Sequence, residues 1–292
     1  MKVLITGAKG QLGTCLREQL QHTIHQVEAH DVDTLDLLDY AAVSAICAEL
    51  EPDVVINAAA YTAVDAAEEN TAIADSLNHQ VVRHLAAECA KLGALLVQVS
   101  TDFVFDGKKS SPYQVADASA PLSVYGQTKL DGEKAIQETD GCRGLIIRTA
   151  WLYSAHGNNF VKTMLRLMAD RPELKIICDQ IGTPTSANTL AALIVKAIDL
   201  PNSGGLYHWT DAGAASWYDF AVAIYEEGRA MGLLDKDVSV LPIPTEEYPT
   251  PATRPAYSVL DKSAAYQDFN MPAVHWRTEL RKVLADLKSA AE

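Results

Sequence analysis

Basic charge is what this sequence most lacks. Its 24 Lys and Arg stand against 38 Asp and Glu, a formal net charge of −14. A general binder of nucleic acid or of anionic membranes needs a basic surface, so both are excluded as partners. The adjacent pair Lys108-Lys109 is too small to reverse that. The five cysteines (Cys15, Cys47, Cys89, Cys142, Cys178) include no CxxC pair, and an odd number cannot all pair internally. Free thiols in a reducing compartment are the expectation. No run approaches the ~20 apolar residues of a membrane span. The apolar part of the opening MKVLITG is too short for a secretory leader, and it leads straight into a glycine loop. A cytoplasmic chain with no membrane partner is expected. Internal repeats and low-complexity tails are absent as well.

What is present is 292 residues at 48% hydrophobic content, enough for one large α/β unit or two lobes. Short apolar runs (2–7, 53–60, 94–102, 144–151) and a strand ending near Asp31 alternate with helical patterns at 11–22, 40–50, 72–92 and 125–139. Strands that are continuously apolar predict a parallel sheet covered on both faces. After Trp151 the character changes. Helices are expected around 158–170, over 190–200 and from Ser216 onward, with a strand at 204–211. The proline-rich stretch from Leu241 to Asp261 reads as mostly loop.

TGAKGQLG places Gly7, Gly10 and Gly13, with Gln11 and Leu12 among them, between the first strand and the first helix. Glycine lets backbone approach a pyrophosphate at a helix N-terminus, where free N–H groups and the dipole favour negative charge. Asp31, 18 residues beyond Gly13, ends the second strand, where a carboxylate accepts from the adenosine ribose. It would repel a 2′-phosphate, whereas Lys9 and His30 would accommodate one, so NADH and NADPH both stay open. Asp36 and Leu37 are placed to bracket the adenine. The small Ala58, Ala59 and Ala60 would let the cofactor lie flat over the strand end.

SVYGQTKLDGEKA holds Tyr125 and Lys129 four apart, one helical face. Ser100 and Thr101 supply hydroxyls at the carboxyl edge of the sheet, where such folds place ligands. A phenol with pKa near 10 is a poor acid–base catalyst at neutral pH unless a cation stabilises its phenolate. Lys129 fits that role, and Thr101 suits the oxygen of a ketone receiving hydride.

Beyond these residues the sequence resembles the extended short-chain dehydrogenase/reductases, and within them the reductase branch that acts on 4-keto sugar nucleotides. The resemblance runs essentially end to end. It includes NAAAYTAVDAAE (57–68), STDFVFDG (100–107), PLSVYGQTKLDGEKA (121–135), RTAWLY (148–153), GNNFVKTMLRL (157–167), DQIGTPT (179–185) and YPTPATRP (248–255). It implies a Rossmann-type doubly wound parallel sheet over 1–150, completed by elements near 186–212. A smaller, interleaved α/β lobe for the sugar nucleotide would occupy 151–292. The implied reaction is reduction by NADH or NADPH of the 4-keto group of a dTDP-linked 4-dehydro-6-deoxy-L-mannose, giving dTDP-L-rhamnose. Tyr125 would donate the proton. Lys129 would lower its pKa and hold the nicotinamide ribose, and Thr101 would bond the carbonyl oxygen. Ser100, Asp102, Phe103, Trp151, Asn158 and Asn159 would surround the sugar. Arg254, flanked by Pro251 and Pro255, would meet the diphosphate.

Some relatives of that branch dimerise around a carboxylate-held magnesium ion. Here the corresponding positions read Cys15 and Asn188, poor ligands for a hard cation, so no metal is expected and the chain is a monomer or homodimer. The alternatives are another sugar-nucleotide 4-ketoreductase, an epimerase, or a non-catalytic NADP-binding regulatory subunit. A 4,6-dehydratase is disfavoured because the second carboxylate it needs is replaced in Asp102-Phe103. His208 and the remaining tryptophans read as structural.

Overall fold

Runs such as KVLIT and VVIN carry apolar side chains on both faces and need cover from two sides. In the computed structural model, which describes residues 1–201, 203–271 and 274–290, helices supply that cover. The first half alternates β1 (Lys2–Thr6), α1 (Gln11–Leu20), β2 (Gln26–His30), α2 (Tyr40–Leu50) and β3 (Val54–Asn57). Short helices α3 (Val64–Ala67) and α4 (Thr71–Asp75) follow, then α5 (Val81–Leu92), β4 (Leu95–Thr101), α6 (Val124–Gln137) and β5 (Arg143–Thr149). A π-type turn over Ser76–Gln80 joins α4 to α5.

The second half contains β6 (Leu152–Tyr153), α7 (Phe160–Asp170), β7 (Glu173–Ile177), β8 (Ile181–Gly182), β9 (Thr185–Ser186) and α8 (Ala187–Ile198). Then come β10 (Gly205–His208), β11 (Ala215–Ser216), α9 (Trp217–Ala230), β12 (Ser239–Ile243), α10 (Ser263–Asp268) and α11 (Trp276–Ser289). The expected capping of α9 is present. Ser216 accepts from Asp219 N–H, and the Asp219 carboxylate reaches back to the Ser216 N–H at 2.8 Å.

Six strands form one parallel sheet in the order β10-β5-β4-β3-β1-β2. Strand order reverses between β1 and β3, and the carboxyl ends there open the crevice in which such sheets bind ligands. One face packs Val3, Ile5, Ile56 and Val97 against Leu16, Leu20, Leu190 and Ile194. The other packs Leu4, Val55 and Leu96 against Val43, Val82 and Leu85. Each such fully buried aliphatic side chain contributes about 1.5–3 kcal/mol. A third core, around Tyr153, Met168, Phe220, Ile224 and Leu280, belongs to α7, α9 and α11.

The proline-rich stretch departs from the expectation of loop at its start. Leu241, Pro242 and Ile243 end strand β12, paired in parallel with β7. A strand in a two-stranded pair has one open edge, toward which a residue without an N–H can turn. Helices α10 and α11 had no counterpart in the sequence reading. Among the described residues no helix is long and apolar enough to cross a membrane.

Candidate active site

Gly7 follows β1 at φ 68°, and a Cβ there would stand 2.6 Å from the Ala59 nitrogen. A Cβ on Gly13 would stand 2.1 Å from the Gly7 carbonyl oxygen. Only glycine lets the loop, the start of α1 and the end of β3 come this close. Gly10 caps α1 with no side chain, and no acidic residue occupies the first turn. The helix N-terminus is therefore left to an anion. Gln11 reaches the segment between β6 and α7. Its Oε1 accepts from Asn159 Nδ2 at 2.9 Å and from Ser154 Oγ at 3.1 Å.

Beside the loop a cavity of about 150 Å³ gathers Gly7, Asp31, Asp36, Leu37, Ala59 and Ala60. Val32 and Leu77 complete its apolar wall. The Asp31 carboxylate is oriented by the N–H groups of Lys9 (2.7 Å) and Val32 (2.9 Å). The Lys9 ammonium turns instead to Asp33, at 2.5 Å. A buried polar ladder fixes the strand ends above. The Thr6 hydroxyl donates to Asn57 at 2.7 Å, and Asn57 donates to Gln98 at 2.8 Å.

Thr101 ends β4 and opens a tight turn, Asp102–Val104, in which its hydroxyl accepts from Phe103 N–H at 3.2 Å. The N-terminus of α6 lies directly on that turn. A Cβ on Gly126 would come within 2.3 Å of the Phe103 carbonyl oxygen. Two side chains cap α6 there: Ser123 accepts from Gly126 N–H (3.2 Å) and Glu68 from Val124 N–H (2.9 Å). Tyr125 is thereby held edge-on to Phe103, ring centroids 5.7 Å apart. Burial pushes its phenol up to about 12, with the Thr101 hydroxyl pulling it down and the Asp102 charge pushing it further up. Burial also lifts the Asp102 carboxyl to about 6, against the Ser258 and Thr101 hydroxyls.

Lys129, one turn on, is 4% exposed and donates to the Val99 carbonyl oxygen at 2.5 Å. Burial pushes its ammonium down to about 8, opposed by Glu133. The charge that acts on the Tyr125 phenol is that of Asp102 rather than Lys129.

The remaining expected residues separate into two sets. Asp102 and Phe103 follow the carboxyl end of β4, and Trp151 follows that of its neighbour β5. Trp151 sits at φ 48° just beyond β5 and stacks on Trp217 at 3.5 Å. Other side chains are already committed elsewhere. The Ser100 hydroxyl donates to Glu133. Asn159 caps α7 and donates to Gln11 and, at 2.8 Å, to the Ser154 carbonyl oxygen. Arg254 is forked onto Asp65, at 2.9 and 2.7 Å, while Asn158 is exposed. His208 is buried against the Tyr113 carbonyl oxygen at 3.1 Å, and burial pushes it down to about 4, as a structural role predicts.

Sequence reasoning missed Asp65, Glu68, Asn78, Glu133 and Arg148. Asn78, in the π-type turn, bonds Tyr61 through both backbone groups and reaches Thr128 at 3.2 Å. Glu133 carried the one available signal, since it continues the Tyr125–Lys129 face by another four residues.

At the expected metal positions the donors do not fit magnesium. Cys15 is buried with its thiol pushed up to about 12, and Asn188 offers an amide, where a hard cation takes several oxygens. Among the described residues, Cys15, Glu18 and His156 hold ligand atoms within 4.8 Å of one another. His156 there pairs with Glu18 at 3.2 Å.

The family model for the RmlD substrate binding domain matches residues 1–289. A dTDP-4-dehydrorhamnose reductase of Burkholderia thailandensis is 44% identical, over 99% of this chain and all of that protein. The crystal structure of a Clostridium acetobutylicum dTDP-4-dehydrorhamnose reductase matches at TM-score 0.91 and 43% identity, covering 99% and 100% of the two chains. That of the Bacillus anthracis dTDP-4-dehydrorhamnose reductase in complex with NADP matches at TM-score 0.92 and 35% identity, covering 98% and 99%.

Proposed function

The chain belongs to the RmlD substrate binding domain family, and on that premise we propose that it reduces the 4-keto group of dTDP-4-dehydro-6-deoxy-L-mannose with NAD(P)H, forming dTDP-L-rhamnose. The observation that carries this reading is the meeting of Thr101, Tyr125 and Lys129 at the carboxyl edge of a sheet whose first helix keeps its N-terminus open to an anion.

Bound NAD(P)H supplies the hydride. The glycine loop takes its pyrophosphate at the α1 N-terminus. Asp31, with Asp36, Leu37 and Ala58 to Ala60, takes the adenosine. With its phenol near 12, Tyr125 is protonated at neutral pH and is suited to give a proton to the carbonyl oxygen as hydride reaches carbon. The Thr101 hydroxyl holds that oxygen. The resulting phenolate is what the Lys129 ammonium stabilises, while also bonding the nicotinamide ribose. Trp151, Asp102 and Phe103 would border the sugar, and Arg254, held by Asp65, would present its charge to the diphosphate.

The oriented Asp31 carboxylate supports NADH, and the relative crystallised with NADP supports NADPH. Residues 1–150 with α8 and β10 form the cofactor domain in this reading, and the rest of 151–292 forms the sugar-nucleotide lobe. No magnesium is required. Five free cysteines support a reducing cytoplasm as the compartment. The test is turnover of the 4-keto sugar nucleotide with each cofactor, followed by nicotinamide absorbance, with the stereochemistry of the product assigned by NMR. A product epimeric at C4, or no cofactor oxidation, would refute the assignment.

A further inference from the structure

We propose that Glu133 is a positioning residue for this reaction, its carboxylate fixed by Ser100 and Arg148 so as to keep the neighbouring Lys129 charged and oriented. The inference rests on the role of Lys129 given above.

Tyr125, Lys129 and Glu133 recur every four residues on α6, and so share one face. Ser100 and Arg148 are register partners across the β4–β5 ladder, and both side chains close on Glu133. One carboxylate oxygen receives the Ser100 hydroxyl and Arg148 Nε (2.9 Å), and the other receives Arg148 Nη2 (2.6 Å). Arg148 is held in turn by Ser119, at 3.3 Å, and by the Phe105 ring, 5.1 Å away. Glu133 is 1% exposed and Arg148 3%. Burying an ion pair this completely is expensive, and two apolar side chains of the same volume generally pack as well or better. A need for the charge itself explains its presence here.

That need is visible one turn away. Lys129 is buried, and desolvation works against its charged form. Lys129 donates to the Val99 carbonyl oxygen of β4 and stands one turn from Tyr125 and one from Glu133 on α6, with Arg148 of β5 bonded to Glu133 and the Asp102 charge beside Tyr125. Of these, Glu133 is the charge that favours the ammonium. The fork with Arg148 and the Ser100 hydroxyl fix where the Glu133 carboxylate sits relative to Lys129.

The experiment compares wild-type enzyme with Glu133→Gln and Glu133→Asp, reading kcat against pH and, separately, the Kd for NADPH against pH by calorimetry. In Glu133→Gln the basic limb of both profiles is expected to move to lower pH by about 1 unit, with KM for the sugar nucleotide unchanged. Glu133→Asp is expected to bring the limb back toward wild type. A kcat lowered equally at every pH, with the limb in place, would overturn the proposal and leave Glu133 a purely structural residue. If Glu133→Gln does not fold, the pair Glu133→Gln/Arg148→Met removes both charges. Its limb is expected to move in the same direction by a smaller amount, and an unmoved limb would again overturn the proposal. Inactive wild-type enzyme would instead count against the reductase assignment, and the NADPH titration would still report on Lys129.

Discussion

Arg254 grips Asp65 through both terminal nitrogens, at 2.9 and 2.7 Å, joining the proline-rich stretch to the short helix α3 that follows β3. The same Asp65 carboxylate takes the Ala252 N–H at 3.2 Å, and the guanidinium holds its carboxyl below the usual carboxylate range. The guanidinium is thus held in one place by Asp65. Arg254→Lys keeps the charge but loses the two-pronged geometry. We expect KM for the dTDP-sugar to rise about 10- to 100-fold, equivalent to roughly 1.4–2.8 kcal/mol, with the KM for NADPH unchanged. Steady-state kinetics in both substrates check this; equal losses in the two would make Arg254 a lobe fastener only.

Tyr125→Phe keeps the ring against Phe103 and removes the proton. Loss of a general acid costs on the order of 10²–10⁴ in rate, and kcat should fall on that scale while the melting temperature and NADPH affinity persist. Lys129→Met should lower kcat and weaken NADPH as well. The double variant should lose less than the two effects combined, because the lysine acts partly through the phenol. Near-normal turnover by Tyr125→Phe would reduce the tyrosine to packing.

Asp31 lines the cavity beside the glycine loop and is oriented by two backbone N–H groups. Asp31→Ala should weaken NADH more than NADPH, since only NADH offers a free ribose 2′-hydroxyl there. Fluorescence titration with both cofactors reads this directly, and equal losses would remove Asp31 from the ribose site.

Asp211 is 2% exposed, accepts from Ser186 N–H (2.9 Å) and Thr189 Oγ1 (2.6 Å), and is pushed up to about 7 chiefly by burial. An acid whose folded pKa lies above its unfolded value of about 3.9 binds more protons when native. Its contribution to stability is therefore fully present below about 4 and is lost as pH rises through about 7. Asn at this position accepts from Ser186, donates to Thr189 and never ionises. The melting temperature of Asp211→Asn, taken relative to wild type, should rise between about pH 5 and pH 8. A constant difference across that range would show that Asp211 stays ionised throughout.

The legible parts of this molecule are those written at short range. The glycine loop, the strand–helix alternation and the Tyr125–Lys129 face each occupy a few consecutive residues with one periodicity, and the parallel sheet follows from them. Asp65 and Arg254 lie 189 residues apart, and nothing local to either names the other. The role of Glu133 depends on which strand residues stand opposite one another, so it emerges only once Ser100 and Arg148 are in register. Pro242 within β12 reads as a breaker until its single-partner strand is seen, where a missing N–H costs nothing on the open side. Ser100 and Asn159 show the converse case. Their sequence settings suggest ligand contacts, and the fold gives their side chains protein partners.

Because β10 is the edge partner of β5, the sheet receives its last strand only after the chain between Thr149 and Gly205 has been made. A nascent chain emerging from the ribosome would carry β5 with one ladder edge bare while β6, α7, β7, β8, β9 and α8 are still being made, a wait of seconds at ordinary elongation rates. Bare edges invite pairing with other chains. Gly205–His208 is thus the point at which β5 gains its second partner, and a ribosome stalled before it would leave the long β5 edge open to other chains.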